Sequence, residues 1–252
     1  MRWVSERDLQ QPRRIRLFCL PHAGSGVAGF YRWKRMLPED VAVCPILLPG
    51  REGRLAESLL HSVREVVEAL DDEVGAALDR PFAVFGHSMG ALLAFEWVKR
   101  MQARGGRLPS VLLVSGRNAP QMGPGHRGLA GMADAELVVE LGRRYGGAPE
   151  TLLEDEEMRA VFMPIVRADL GMVEGYSGAV VWTADEKLDV PVRAYAGTGD
   201  ASVSDEGLDR WREVTVGDFE ARRFVGDHFY HFGEGQGELV RMIGEKLLAA
   251  TR

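Results

Sequence analysis

Ser88 lies in Gly86-His87-Ser88-Met89-Gly90, a G-x-S-x-G placed directly after the apolar run Phe82 to Phe85 and directly before the amphipathic stretch 91–104. A serine acts as a nucleophile only when its hydroxyl stands clear of its neighbours and beside a base, and a tight strand-to-helix turn flanked by glycines meets the first condition. The helix that follows adds free N–H groups and partial positive charge where an oxyanion would form. The orienting acid and the base come after such a serine in chain order, at the ends of later strands. Asp200 follows the run 192–196 through Gly197-Thr198-Gly199, and His228 follows 219–225 through Gly226-Asp227. Ser88, Asp200 and His228 are therefore the expected nucleophile, acid and base. The oxyanion needs two backbone donors: Met89 N–H, after the serine, and Ala23 N–H, in the loop Pro21-His22-Ala23-Gly24-Ser25-Gly26.

Other polar residues have plainer readings. Asp205 falls at a helix start and reads as an N-cap, and Asp227, adjacent to the base, reads as solvent-facing. His231 is expected as a wall or surface residue, His61 and His126 as solvated, and His87 as packing inside the elbow. Gly24-Ser25-Gly26-Val27-Ala28-Gly29 satisfies G-x-G-x-x-G, with Glu52 near the place of a ribose-binding acid. That motif starts at the end of its strand, however, whereas Pro21, His22 and Ala23 intervene here. No H-E-x-x-H, C-x-x-C or Walker A pattern occurs, so neither a metal nor a cofactor is expected.

The elements that must position these residues alternate. Short apolar runs at 15–20, 41–48, 82–86, 111–115, 192–196 and 219–225 read as strands, and 57–78, 88–104 and 238–250 read as amphipathic helices. Strands apolar on both faces and separated by helices predict a mostly parallel sheet covered on each side, hence an α/β domain spanning residues 1–252. Between 118 and 189 the rhythm changes to helical patterns broken by glycine and proline. A structureless loop of that length is unexpected, so a helical insertion is predicted, a lid rich in methionine. Phe162, Met163 and Met172 are its expected substrate-facing residues.

The chain has 252 residues, 46% of them hydrophobic and 27% charged, with a formal net charge of −6. That balance speaks against disorder, and its sign against a nucleic-acid partner. The N-terminal residues lack the apolar core of an export signal and no stretch reads as a membrane span, so a cytoplasmic location is expected. Cys19 and Cys44, each inside an apolar run, read as buried free thiols.

The runs LFCLPHAGSG, LLPGREGRLAE, FGHSMGALLAFEW, FMPIVRADLGMVEGY, GTGD and GDHFYHF, in that order from Leu17 to Phe232, resemble the type II thioesterases that accompany polyketide synthases and non-ribosomal peptide synthetases. The resemblance implies an α/β-hydrolase fold with a helical lid. It further implies hydrolysis of acyl thioesters from the phosphopantetheine arm of an acyl or peptidyl carrier protein, clearing stalled or wrong units, with no cofactor of the enzyme's own. It carries Ser88, Asp200 and His228 over as the triad, with Ala23 and Met89 as oxyanion donors. Two positions depart from the family's habit: Ser25 replaces the second glycine of the first loop, and Asp227 stands where a small residue usually precedes the histidine. A general carboxylesterase or lipase, and a non-catalytic binding module on a hydrolase fold, are the competing readings.

Overall fold

The computed structural model describes residues 3–146, 155–177, 183 and 186–249. Six strands, β1 (Ile15–Leu20), β2 (Val41–Pro45), β3 (Phe82–His87), β4 (Leu112–Ser115), β5 (Val192–Gly197) and β6 (Phe219–Phe224), form one sheet in the order β2-β1-β3-β4-β5-β6. Every adjacent pair is parallel. β1 to β4 are buried at every position, so their mostly apolar runs are what a doubly covered parallel sheet requires, with Arg16 of β1 the charged exception, donating to Ala77 C=O at 2.6 Å and paired with Asp79. β2 ends at Pro45, short of the expected 48, with Ile46 N–H giving its bond to Cys19 C=O. β6 is the exposed edge and carries Glu220, Arg222 and Arg223, charges that discourage pairing with another chain.

Alternate side chains of each strand feed two cores. Phe18, Leu20, Cys44, Val84 and Val114 pack under α1 (Val63–Val74) and α2 (Met89–Ala103). Leu17, Cys19, Val43, Phe85 and Leu113 pack on the other face, with α5 (Gln236–Ala249) supplying Leu239, Val240, Ile243 and Leu247. The two cysteines are free and buried on opposite faces; burial raises both thiols, that of Cys44 to about 12. α1 begins later than the pattern from 57 suggests because a capping box fixes its start: Ser62 Oγ accepts Glu65 N–H at 3.2 Å and Glu65 Oε2 accepts Ser62 N–H at 3.0 Å.

β2 lies to one side of β1 and β3 to the other, so the loops leaving β1 and β3 diverge from a switch point, the place where open α/β sheets bind ligands. Between β4 and β5 runs the insert expected at 118–189. Its described part contains α3 (Asp134–Tyr145) and α4 (Glu156–Glu174) and no strand; residues 147–154, 178–182 and 184–185 lie outside the described residues. Asp155 caps α4 by accepting Met158 N–H at 2.9 Å, and Glu156 and Glu157 follow in the first turn. Leu129, Leu137, Val138, Met163, Val166 and Leu170 form the insert's own apolar cluster, against which Ala23 of the β1 loop packs.

Candidate active site

Ser88 occupies φ +54°, ψ −112°, between the end of β3 and the first turn of α2. Such a backbone conformation is costly for a residue with a side chain, and its surroundings impose it. A Cβ on Gly86 would lie 2.0 Å from Gly90 O, and one on Gly90 would lie 2.2 Å from Leu20 O, so neither position admits a side chain. Ser88 N–H is tied to Ser115 C=O at 2.7 Å.

Asp200 and His228 meet at the ends of β5 and β6. Thr198 N–H to Phe224 C=O and Gly199 N–H to Gly226 C=O, both 2.8 Å, carry the strand pairing into the two turns and bring the side chains together. His228 Nδ1 lies 2.8 Å from Asp200 Oδ2. Asp200 Oδ1 accepts the Ser202 N–H at 3.0 Å and hydroxyl at 2.5 Å, two bonds that no strand or spacing pattern announced. Burial works against ionisation of Asp200, but the hydrogen bond and charge of His228, together with Ser202, outweigh it and hold the carboxyl below its ordinary value.

Ser88, His228, Ala23 and Met89 border one cavity of about 490 Å³. Neither Ala23 N–H nor Met89 N–H has a hydrogen-bond partner among the described residues. The next N–H, that of Gly24, behaves differently: it donates to Asp169 Oδ2 of α4 at 2.8 Å. Asp169 is fully buried and forms a two-pronged pair with Arg51, at 2.7 and 2.8 Å, while Arg51 also donates to Ser25 C=O at 3.1 Å. The insert is thus fastened to the loop that carries Ala23. Sequence reasoning missed this pair, whose members lie 118 positions apart; a single carboxylate within the apolar stretch of α4 was its one signal.

The insert supplies the cavity's far wall through Val138, Leu141, Phe162, Met163, Val166 and Leu170. Phe162 and Met163, expected to face substrate, are on that wall. Met172 is not: it packs in the core beneath α2 and does not border the cavity. It lies nine positions beyond Met163, about half a turn out of phase on a helix, which places it on the opposite face.

Several polar residues also differ from expectation. His231 is fully buried and stacks on His87 at 3.6 Å between ring centroids, while His22 approaches both rings at 6.0 Å. His87 does pack inside the elbow, bonded through Nδ1 to Ser115 Oγ at 2.8 Å, and its ring lies 4.8 Å from that of His228. Burial lowers His22 to about 3 and His87 and His231 well below the ordinary imidazole value, each pushed further by neighbouring histidines. His126 borders the cavity and pairs with Glu174 at 3.3 Å, rather than standing in solvent as His61 does. Ser204, not Asp205, caps the short helix Asp205–Asp209; Asp205 pairs with Arg223. Asp227 is exposed and accepts Phe229 N–H at 2.8 Å. Glu52 folds back over the glycine-rich stretch and accepts Val27 N–H at 2.9 Å, and a Cβ on Gly26 would strike its carboxylate, so this acid closes the loop that a dinucleotide phosphate would need open.

Sheet topology, elbow position and helical insert together are those of an α/β-hydrolase. A family model described as a thioesterase domain matches residues 15–247. The chain is 35% identical over 246 residues to the gramicidin S biosynthesis protein GrsT of Aneurinibacillus migulanus, covering 98% of this chain and 94% of that one. It is 36% identical over 252 residues to the thioesterase PikA5 of Streptomyces venezuelae, covering 98% and 85%. Among solved structures it is similar to RedJ, the thioesterase from the prodiginine biosynthetic pathway in Streptomyces coelicolor, with a TM-score of 0.83 and 33% identity over 93% of this chain and 86% of that one. The chain belongs to the thioesterase family and is a hydrolytic enzyme. No helix among the described residues is long and apolar enough to cross a membrane.

Proposed function

We propose that this thioesterase hydrolyses acyl thioesters held on the phosphopantetheine arm of acyl or peptidyl carrier proteins, clearing aberrant units from a polyketide or peptide synthase in the cytoplasm. The observation that carries the proposal is the juxtaposition, around one cavity, of an elbow serine, a histidine bonded to a buried carboxylate and two unengaged backbone N–H groups. Ser88 Oγ attacks the thioester carbonyl while His228 Nε2 takes its proton, and Asp200 holds the imidazole by Nδ1–H. Met89 and Ala23 N–H groups receive the charge that develops on the carbonyl oxygen, aided by the N-terminus of α2. The pantetheine thiol leaves with the proton from His228. Water, deprotonated by the same histidine, then attacks the acyl-Ser88 ester and releases the acid. The enzyme contributes no cofactor; the pantetheine belongs to the substrate.

α3 and α4 act as the lid over the acyl chain. The Arg51–Asp169 pair holds that lid to the loop bearing Ala23, so the wall of the chamber and one oxyanion donor are set by the same buried contact. A panel of acyl-loaded carrier proteins, followed by intact-mass spectrometry, tests the assignment against an ordinary esterase. Release from carriers at rates well above those on oxygen esters is the expected outcome; equal or greater activity on oxygen esters overturns it. Absence of turnover on both would favour the binding-module reading.

A further inference from the structure

His228 is seated from two parts of the molecule. Asp200 Oδ2 at 2.8 Å and Ser202 Oγ at 3.2 Å both lie at the Nδ1 edge of its imidazole. Contacts at one edge fix that nitrogen but leave the ring room to swing, and the nitrogen that must face Ser88 Oγ is the other one. What packs against the ring limits the swing. Among the described residues three rings do so: His87 with its centre 4.8 Å away, Phe229 at 5.2 Å and Tyr145 at 4.7 Å. His87 belongs to β3 and Phe229 to the base's own loop. Tyr145 comes from the insert, and it is the nearest of the three.

Tyr145 is the last residue of α3, and the way that helix ends sets its place. Gly146, at φ +75°, donates its N–H to Gly142 C=O at 2.9 Å and takes the chain out of the helix beside the loop that bears the base. A Cβ there would lie 2.8 Å from Asp227 Oδ2, so glycine is what lets the end of α3 sit against that loop. Asp227 is fixed in turn by accepting Phe229 N–H at 2.8 Å through Oδ1. The adjacent contacts Tyr145–His228 and Gly146–Asp227 therefore seat the end of α3 on the base loop. At 145 the ring makes the contact. The hydroxyl has no hydrogen-bond partner among the described residues, and burial raises the phenol, so it stays O–H at physiological pH. Tyr145 also borders the cavity shared by Ser88 and His228.

Building on the proposed Ser88–His228 chemistry, we infer that Tyr145 is a positioning residue for the base: its ring holds the imidazole with Nε2 toward Ser88, so that docking of α3 and orientation of the base are one event. Misplacement by about 1 Å costs up to about 10²-fold in rate, so loss of one wall of the seat is felt in the chemical step. Tyr145 neither gives nor takes a proton.

The test follows two reactions of the same serine. One is hydrolysis of N-acetylcysteamine thioesters from acetyl to octanoyl. The other is labelling by a fluorophosphonate, in which Ser88 Oγ forms a bond to phosphorus, fluoride leaves and His228 takes the proton, with no thioester involved. Tyr145→Phe keeps the ring and stays within about twofold of wild type in both reactions. Tyr145→Leu loses the ring; it slows labelling about tenfold and lowers kcat by a similar factor at every chain length, with KM changed less than about threefold. Gly146→Ala pushes the end of α3 away from Asp227 while leaving the Tyr145 side chain intact, and it slows labelling in the same direction. Melting curves establish that each variant is folded. In protein carrying ¹³C-histidine, the His228 Cε1–H signal moves in Tyr145→Leu and keeps its place in Tyr145→Phe, which reads the ring contact itself. Labelling of Tyr145→Leu or Gly146→Ala at the wild-type rate, or of Tyr145→Phe as slowly as Tyr145→Leu, overturns the inference. So does a loss of kcat confined to particular chain lengths, which makes Tyr145 a chamber wall. If wild type labels in a manner that depends on the ring at 145 yet turns over no thioester, the thioesterase reading fails and the inference stands.

Discussion

Ser88, Asp200 and His228 are held by backbone with little room to move, whereas the wall facing them is held largely by side chains. On the sheet side, the elbow glycines touch carbonyl groups, Ser88 N–H is bonded across to β4, and the turns bearing Asp200 and His228 continue the β5–β6 pairing. On the insert side, six apolar residues form a separate cluster, and the polar attachment to the β1 loop passes through Asp169. In the proposed mechanism the first region fixes the reacting atoms, which tolerates little displacement. The second shapes a chamber, which can vary without loss of chemistry. The contrast teaches that catalytic competence and acyl preference should be separable by mutation, except at Asp169 and Tyr145, where the two regions meet.

The sheet side should show the largest losses. Ser88→Ala and His228→Ala are each expected to lower turnover by roughly 10³-fold or more with an unchanged melting curve, since the members of a triad such as the one proposed act as a unit. Asp200→Asn should approach a loss of about 10⁴-fold by stranding the imidazole in the wrong tautomer. Asp227→Asn, exposed and turned toward the Phe229 N–H, should lose less than about threefold, within the range of a surface change. Steady-state rates on one acyl thioester measure all four. A greater loss at Asp227 than at Asp200 would transfer the orienting role.

Asp169 tests the junction. Replacing it by asparagine breaks a buried pair, for which about 3–5 kcal/mol of stability is expected to be lost, because the Arg51 charge stays buried. It also releases Gly24 and so the neighbouring Ala23 N–H, and kcat should fall by up to about 10²-fold, with KM changing much less. The double variant Arg51→Met/Asp169→Leu removes both charges and is expected to recover the melting temperature without recovering kcat. Recovery of both would reduce the pair to a packing contact.

How much of this could be read beforehand follows from the range of each signal. Five of the six strands were legible because a doubly covered strand is mostly apolar, the edge strand β6 by its place in the alternation of strands and helices, and Ser88, Asp200 and His228 because each follows its strand within a few residues. The Arg51–Asp169 pair and the stack of His87 on His231 had no such local mark, since contacts across the fold depend on how distant segments pack. Ser202 was hidden in the turn after Asp200 for the opposite reason: serine is so common in turns that its support of the carboxylate cannot be told from turn chemistry.

The histidine stack gives the sheet side its own weakness. His22, His87 and His231 are held neutral in the folded protein and take up protons near 6.5 when unfolded, so the unfolded state binds more protons once pH drops below that value. Their stability contribution is fully present above about 6.5 and is lost as pH falls toward the lowered folded values, that of His22 being about 3. Each should remove about 1.4 kcal/mol per pH unit within that window. Urea melts at pH 7.0, 6.0 and 5.0 are expected to show stability declining steeply, and His231→Phe, which keeps the stacked ring without its titration, should flatten the decline by about a third, one histidine's share. An identical pH slope in wild type and His231→Phe would show that the stack does not control acid stability.

The smallest effects belong to the insert, where two methionines on opposite faces of α4 separate chamber from core. Met163 borders the cavity and Met172 packs beneath α2, although both are nearly inaccessible to solvent. Burial alone therefore does not distinguish them; the phase of the helix does. Tryptophan at 163 extends into open chamber volume and should shift preference toward shorter acyl chains, with each lost methylene contact altering selectivity by about 1–3 kcal/mol and the melting temperature changing little. Tryptophan at 172 cannot reach that chamber, since the side chain lies in the core and borders a separate groove beside Val63, Val67 and Arg100. It should overpack the core at a cost of about 1–3 kcal/mol, while leaving the chain-length profile as it was. Measuring both properties on both variants sharpens the division between the regions to a single helix. If Met172→Trp altered chain preference and Met163→Trp altered only stability, α4 would present its other face to the acyl chain, and the chamber would have to be redrawn on the far side of that helix.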